Sequence, residues 1–237
     1  MHHDPYSLTA EFYDLVGEQQ WAHSDQALAS ALAGVDVTHG PVLDLGAGTG
    51  RSTAVIARTL PDAAILAVEP SPGMRAALTS RVVRDTDLSG RVTVIAATAE
   101  EVPLPHRLSA AVLCGVVGYL DATRRRRLWD KLLRRLRPGA PVVVELMALT
   151  SPQRVPPMRI ARRTLGEQTY ESWLSGEPAG HDLMRWSATW RVFQGETVVR
   201  EVDVEHEWYT FGIDDLAAET GMTGRMLTPE LGILVRT

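Results

Sequence analysis

This sequence has one cysteine, fewer cationic than acidic side chains, and no long apolar run. The single cysteine, Cys114, excludes an intramolecular disulfide and a Cys-x-x-Cys motif, so we expect no metal site. The net charge of -5 disfavours nucleic acid as a partner, because phosphates are held by clustered cationic side chains. No stretch approaches the roughly 20 apolar residues of a membrane span, and no signal peptide is visible. These absences favour a cytoplasmic protein that acts on a small molecule, without nucleic acid or membrane as a partner.

What the sequence does contain is a regular alternation of short apolar runs and helical segments. The apolar runs predict strands at residues 42–45, 64–68, 92–96, 110–114 and 141–145. Helices are predicted between them, at about 51–60, 72–84 and 122–137, after two N-terminal helices within residues 6–33. This alternation predicts an α/β fold with a parallel sheet and helices on both of its faces.

The last third of the sequence changes character. Residues 150–180 carry four prolines and scattered apolar residues, which we interpret as a helical insertion or lid. Residues 184–208 alternate apolar and polar side chains and predict a hairpin that turns at Gly195. A helix at 213–220, a Gly221 cap and a strand at 232–236 end the chain. The predicted hairpin register pairs Trp190 with Val202, Arg191 with Glu201, and Arg185 with Glu207.

A glycine-rich loop joins the first predicted strand to the next helix. In Gly46-Ala47-Gly48-Thr49-Gly50 the backbone can turn sharply and approach a ligand where a Cβ would collide. Free N–H groups at a helix start favour a carboxylate or a phosphate, so the loop alone leaves several nucleotides open. A nicotinamide fingerprint would place its third glycine one position later, where Arg51 stands, and no P-loop Gly-Lys-Ser/Thr follows.

Two carboxylates narrow the choice of ligand. Asp44, two residues before the first glycine, would repel a pyrophosphate but could bind a cationic amino group directly or through water. Glu69 ends the second predicted strand, where a carboxylate can accept hydrogen bonds from both ribose hydroxyls. The pair favours a cofactor that carries an amino acid.

The spacing of Asp44, the glycines and Glu69 resembles that of the class I, Rossmann-like S-adenosylmethionine-dependent methyltransferases, over at least residues 40–146. The resemblance implies a doubly wound, mostly parallel seven-stranded sheet, with N-terminal helices and a C-terminal antiparallel hairpin over the active site. It also implies S-adenosylmethionine as the cofactor and S-adenosylhomocysteine as its product. Thr98 departs from the family, where an Asp is frequent, so contact with the adenine amino group passes to the backbone or to Glu100. The implied cofactor-binding residues are Tyr13, Asp44, Gly46, Ala47, Gly48, Thr49, Gly50, Glu69, Pro70, Met74, Thr98, Ala99, Glu100, Cys114 and Gly115.

A second, narrower resemblance concerns the regions outside this core. The early motif Phe12-Tyr13-Asp14 and the late hairpin resemble the nucleotide-sugar N-methyltransferases of natural-product pathways. By that resemblance Tyr13 would close over the carboxylate end of the cofactor, and the hairpin would roof the substrate pocket.

The length of 237 residues and the hydrophobic content of 45% favour one domain over two. We divide this domain into five segments. They are an N-terminal helical cap (1–39), a cofactor-binding core (40–149), a helical insertion or lid (150–182), an antiparallel hairpin (183–210), and a last helix and strand (211–237).

Catalytic residues are harder to assign, because a sulfonium already makes its methyl group electrophilic and the main task is alignment. If the acceptor is a hydroxyl or an ammonium, a nearby side chain would help to remove its proton. His206 is equally a packed residue opposite Trp186, and the basic run from Arg124 to Arg127 is interpreted as a solvated helix face. The candidates are His23, Tyr119, Glu145, His181 and His206.

The predicted function is methyl transfer from S-adenosylmethionine to an oxygen, nitrogen or carbon atom of a small metabolite, in secondary metabolism. Three alternatives remain: a cofactor-binding protein repurposed for cyclase-like chemistry, an NAD(P)-dependent oxidoreductase, and a nucleic-acid methyltransferase. The last is disfavoured by the acidity and by Cys114-Gly115-Val116-Val117, which stands where an Asn/Asp-Pro-Pro-Tyr-type motif would be. The hairpin could also form a homodimer, which exposed tryptophans would support.

Overall fold

A seven-stranded sheet forms the centre of the computed structural model. The structure describes residues 4–20 and 22–236; within these ranges, side chains are described for all residues except 16–20 and 22. The strand order of the sheet is β10-β11-β5-β4-β1-β2-β3. Strands β1 to β5 are parallel, whereas β11 runs antiparallel to both β5 and β10. The strands are β1 (Val42–Leu45), β2 (Ile65–Val68), β3 (Val92–Ile95), β4 (Ala110–Leu113), β5 (Pro141–Glu145), β10 (Thr223–Met226) and β11 (Leu231–Val235).

Helices cover both faces of this sheet. One face packs against α2, α3 and α4, and the other against α6 and α7. All residues of β1 and β4 are buried, as expected for parallel strands that are covered on both sides. The predicted doubly wound fold is therefore confirmed. The helices are α1 (Pro5–Gln20), α2 (Ala22–Leu32), α3 (Arg51–Thr59), α4 (Pro72–Arg84), α5 (Thr86–Arg91), α6 (Ala122–Leu133) and α7 (Ile213–Thr220).

Several boundaries differ from the prediction. Helix α6 ends at Leu133 instead of residue 137, and the short helix α5 and strand β10 were not predicted. Strand β10 has only four residues, most of them exposed, so it lacks an apolar signal. Residues 1–3 and 21, in the predicted cap, and residue 237, in the last predicted segment, lie outside the described residues.

A second sheet has four antiparallel strands in the order β6-β7-β8-β9. These strands are β6 (Val155–Leu165), β7 (Gln168–Pro178), β8 (Leu183–Gln194) and β9 (Thr197–Tyr209). The predicted hairpin is β8–β9, and its register is confirmed at all three predicted pairs, with Arg185–Glu207 and Arg191–Glu201 forming ion pairs.

The helical structure predicted for residues 150–182 is wrong, because β6 and β7 occupy most of this segment. Pro156 and Pro157 lie near the start of β6, which is an edge strand of the small sheet. The pairing of β6 with β7 is irregular at these two residues, so the N–H groups that proline lacks are not needed for hydrogen bonds between the strands. Strand β7 pairs with β8 along its whole length, from Gln168↔Gln194 to Pro178↔Met184. The strand state thus depends on pairing with a distant segment, and the local apolar pattern is too weak to show it.

The small sheet lies over the carboxyl-terminal edge of the large one. The ring of Trp190 in β8 stacks on Phe12 of α1, with ring centroids 5.1 Å apart. A Cβ on Gly118 would lie 1.9 Å from the Trp208 ring, so Trp208 in β9 rests directly on the 3-10 turn Val117–Tyr119. These contacts hold the small sheet against α1 and against the turn that follows β4.

The tryptophans of the hairpin are between 4% and 7% exposed, because they pack against the molecule itself. Exposed tryptophans, which would have supported a dimer formed through the hairpin, are therefore not found there. Dimerisation stays a prediction. No described helix combines the length and apolar character needed to cross a bilayer.

The basic run of α6 is only partly a solvated face. Arg125 is 5% exposed, pairs with Glu219 at 2.7 Å and places its guanidinium 4.2 Å from the Phe211 ring centroid. Arg126 and Arg127 are exposed, as predicted.

Candidate active site

A cavity of about 580 Å³ opens at the carboxyl-terminal edge of the large sheet. Strand ends form its floor, and α1 and the small sheet form its roof. In an open α/β sheet this edge is where ligands bind. Of the predicted cofactor-binding residues, those that line the cavity are Tyr13, Gly46, Ala47, Gly48, Thr49, Glu69, Pro70, Met74, Thr98, Ala99, Glu100, Cys114 and Gly115.

Two glycines of the loop are needed because neighbouring protein atoms lie too close for a Cβ, and not only because a ligand needs space. Gly46 has a φ of 75°, and a Cβ there would lie 2.8 Å from the carbonyl oxygen of Cys114. Gly50, with a φ of 91°, does not line the cavity; its Cβ would lie 2.7 Å from Leu78 of α4. Gly50 therefore permits helix packing, whereas Gly46 lets two strand-end loops meet beneath the cavity.

Asp44 is fully buried and does not line the cavity, so of the two predicted contacts with a cationic group, direct or through water, its position is compatible with the indirect one. Its carboxylate accepts hydrogen bonds from the hydroxyls of Ser52, at 2.9 Å, and of Thr53, at 2.5 Å. Burial raises its pKa to about 6, and these two hydroxyls partly offset that rise. Through these hydrogen bonds Asp44 holds the first turn of α3 against the end of β1. Any contact between Asp44 and the cofactor would be indirect.

Glu69 is placed as predicted, at the end of β2 on the cavity wall. One carboxylate oxygen accepts the N–H of Gly48 at 2.9 Å, and the other accepts the N–H of Ser71 at 2.8 Å. Burial raises the pKa of Glu69, and both backbone hydrogen bonds act against that rise. The two N–H groups hold the carboxylate in one orientation beside the loop.

The predicted adenine segment follows β3. The Thr98 hydroxyl donates a hydrogen bond to the Glu101 carboxylate at 2.9 Å. This bond stabilises the turn after β3, and the hydroxyl hydrogen is therefore not available to a ligand. Glu100 forms an ion pair with Arg124, at 2.5 Å, and this hydrogen-bonded pairing lowers the pKa of Glu100. Ala97 and Ala99 complete this wall with small apolar side chains.

The motif Phe12-Tyr13-Asp14 joins α1 to the glycine loop. Asp14 accepts the Thr49 hydroxyl at 2.6 Å and pairs with Arg81 of α4 at 2.7 Å. Phe12 is fully buried against Trp190, and Tyr13 lines the cavity. The motif therefore anchors the roof to the floor and places Tyr13 between them.

Tyr6, which sequence reasoning missed, joins Tyr13 and Tyr119 in a tyrosine cluster. The Tyr6 and Tyr119 hydroxyls are hydrogen-bonded, and the Tyr6 and Tyr13 ring centroids are 6.0 Å apart. Burial raises the pKa of all three phenols, that of Tyr119 to about 12, so they stay protonated. The signal was available, since Tyr6 precedes Tyr13 by seven residues and so shares its helix face.

Four of the five predicted catalytic candidates separate into two groups. Tyr119 and His206 line the cavity with ring centroids 5.8 Å apart. His23 and His181 are exposed and do not line it. Burial lowers the pKa of His206 to about 4, so its imidazole is neutral at physiological pH.

Glu145, a fifth candidate, ends β5 and lines the cavity. Burial raises its pKa to about 7, and the nearby carboxylate of Glu230 contributes to that rise. The small sheet adds an apolar wall to the cavity. Ala188 belongs to the hairpin that was predicted to roof the pocket, whereas Ile160 and Leu174 come from strands that were predicted to be helical. No group of three or more His, Cys, Asp or Glu residues within the described chain is arranged to hold a metal.

Comparison with known proteins gives one family match. Residues 42–139, from β1 to the turn after α6, match a family model described as a methyltransferase domain. A search of curated protein sequences found no significant match.

Three solved structures share the fold over nearly the whole chain. DesVI from Streptomyces venezuelae is 18% identical, with 100% of both chains covered and a TM-score of 0.73. CalS10 from Micromonospora echinaspora, an amino pentose methyltransferase bound to S-adenosylmethionine, is 18% identical, with 100% of both chains covered and a TM-score of 0.72. KedS8 from a Streptoalloteichus species, a sugar N-methyltransferase, is 20% identical over 100% of this chain and 94% of its own, with a TM-score of 0.69.

Proposed function

From the premise that this chain carries a methyltransferase domain in the fold of the S-adenosylmethionine-dependent methyltransferases, we propose that it methylates an amino nitrogen of a small, sugar-like metabolite. The observation that carries the proposal is a cavity with two chemically different ends. One end consists of strand-end loops and Glu69, and the other of aromatic rings from α1 and the small sheet.

The strand-end part suits S-adenosylmethionine. Glu69 would accept the ribose hydroxyls, the Thr98–Glu100 segment would border the adenine, and the loop Gly46–Thr49 would contact the amino-acid end. Bound there, the cofactor supplies an electrophilic methyl group. The protein's own task is then to align the acceptor and exclude water, which the roof of α1 and the small sheet favours.

The aromatic part suits a compact acceptor with apolar faces and a cationic group. The rings of Tyr119, Trp190 and Trp208 would cover the faces of a saccharide ring and attract an ammonium. The relatives described as amino pentose and sugar N-methyltransferases support an amino sugar. Natural-product biosynthesis is the setting that these relatives suggest.

Titration calorimetry tests the cofactor half of the proposal. Wild-type protein should bind S-adenosylmethionine and S-adenosylhomocysteine, and Glu69→Gln should weaken both by about tenfold to a hundredfold, because a charged acceptor for two hydroxyls is lost. Glu196→Gln, the same change in the exposed hairpin turn, is the control. Absence of binding by the wild type would refute the assignment of this cofactor.

Mass spectrometry tests the acceptor half. The protein is incubated with S-adenosylmethionine and a panel of nucleotide-linked amino sugars and their hydroxy analogues. We expect S-adenosylhomocysteine and a product heavier by one CH₂ group with an amino sugar only. Methylation of the hydroxy analogues instead would refute nitrogen as the target, and turnover without any mass gain would favour cyclase-like chemistry.

A further inference from the structure

We propose that Glu145 is the carboxylate that pairs with the cationic amino group of the acceptor and takes its proton before methyl transfer. This inference rests on the proposed function, since it names the residue that would handle the acceptor nitrogen. It is carried by the position of Glu145 in the cavity and by the charges that surround it.

Glu145 lies where the two ends of the cavity meet. It is the last residue of β5, beside the end of β4, and a Cβ on Gly115 would lie 3.9 Å from its Oε2 atom. Tyr13 of α1 and Tyr119 of the 3-10 turn after β4 are near enough for the charge of Glu145 to raise their pKa values. The carboxylate therefore stands between the strand-end loops and the tyrosine cluster.

The groups that face Glu145 are neutral or negative. The neighbouring strand contributes Cys114, whose burial raises its pKa, and the loop before β11 contributes Glu230. Helix α1 contributes the protonated phenol of Tyr13, and the 3-10 turn after β4 contributes that of Tyr119. Within the described part of the chain, no ion pair joins Glu145 to an arginine or lysine, and the carboxylate is left without an opposite charge.

A carboxylate withdrawn from water beside another carboxylate is unfavourable unless a cation joins it. A cavity-lining position lets a ligand bring that cation, and a protonated amine is the cation that a nitrogen acceptor carries. Burial also brings the pKa of Glu145 to about 7, near the value at which a general base works best at neutral pH.

The step balances without any further reactant. One N–H proton of the acceptor ammonium moves to a carboxylate oxygen of Glu145, which frees the nitrogen lone pair. That pair forms a bond to the methyl carbon, the carbon–sulfur bond breaks, and its electrons remain on sulfur as a neutral thioether. The product leaves as a methylated ammonium, and Glu145 returns its proton to solvent.

Two cofactor analogues test this without the natural acceptor. Sinefungin carries an amino group on the atom that replaces the sulfonium centre, whereas S-adenosylhomocysteine has an uncharged sulfur there; both keep the amino-acid end. Calorimetry compares wild type, Glu145→Gln and the control Glu196→Gln. We expect Glu145→Gln to lower the affinity for sinefungin by about tenfold or more, because a hydrogen bond between charged groups is lost. The affinity for S-adenosylhomocysteine should change by less than about twofold.

Each other outcome overturns the proposal. An equal loss for both analogues would place Glu145 at the amino-acid end of the cofactor, and no loss for either would remove it from the ligand. If wild-type protein binds neither analogue, the proposed function fails first, independently of Glu145.

A measurement on wild-type protein covers the case in which the variant does not fold. Protonation of Glu145 removes its negative charge, so the preference for sinefungin over S-adenosylhomocysteine should shrink between about pH 8 and about pH 5. A preference that stays constant over this range would also overturn the proposal.

Discussion

Replacing Glu145 by glutamine should stabilise the ligand-free protein at alkaline pH. The pKa of Glu145 rises from 4.5 to about 7 on folding, because of burial and the neighbouring Glu230 carboxylate. The folded state therefore holds more protons than the unfolded state between these two values, and stability rises as the pH falls through this window. Below it the protonated side chain carries no penalty, and above it the full penalty applies.

The size of the effect follows from the shift. A rise of this size corresponds to at most about 3 kcal/mol in the free energy of unfolding above pH 7, and solvent in the open cavity reduces it. Glutamine has nearly the same shape and no charge, so Glu145→Gln should be more stable than wild type at about pH 8 by about 1–3 kcal/mol. At about pH 4.5 that advantage should disappear.

Urea denaturation at both pH values measures this difference by linear extrapolation. Other shifted groups, such as Asp44 and His206, are present in both proteins and largely cancel in the comparison. The control Glu196→Gln, in the exposed hairpin turn, should match wild type at both pH values. A stability difference that does not change with pH would mean that Glu145 keeps an ordinary pKa, and the case for a ligand cation beside it would fail.

Three further predictions concern the framework of the site. Gly118→Ala should lower stability by about 1–3 kcal/mol through overpacking against the Trp208 ring, and Trp208→Leu in the same chain should recover part of it; an unchanged melting temperature would contradict the contact. Asp44→Asn should lower the free energy of unfolding by about 1–3 kcal/mol, because its hydroxyl donors lose an acceptor, while calorimetry shows little change in S-adenosylmethionine affinity; a folded variant that no longer binds would reassign Asp44 to the cofactor. Arg125→Met should cost about 3–5 kcal/mol in denaturation experiments by leaving Glu219 unpaired, and Glu219→Met should restore much of that; additive losses would argue against a coupled pair.

The cofactor end of the cavity could be predicted because its signals are local. The glycine loop, Glu69 and the hairpin register each depend on residues close in sequence or on simple alternation. The loop between a buried strand and a helix indicated where a ligand could approach, but it could not show that Gly50 serves packing against α4 and not the cavity.

The acceptor end could not be predicted as well, because it is assembled from distant segments. Ile160 and Leu174 reach the cavity only through strands that were expected to be helical. Asp44 lies at the distance from the glycine loop that predicts contact with a ligand. In the structure, however, its carboxylate accepts hydrogen bonds from two hydroxyls of α3. The sequence cannot show this competition, since a buried carboxylate serves whichever donors the packed structure brings to it.

The alternation of the small sheet has a consequence for how such an enzyme changes over time. The backbone ladder and outer cross-strand pairs such as Arg185–Glu207 act on the register of β8 and β9 from the face opposite the cavity. We therefore expect that cavity-lining positions other than the anchoring tryptophans, such as Leu174, Ala188 and His206, can be exchanged while the strands stay paired. Substrate preference can diverge among descendants of this chain while the methyl donor stays the same.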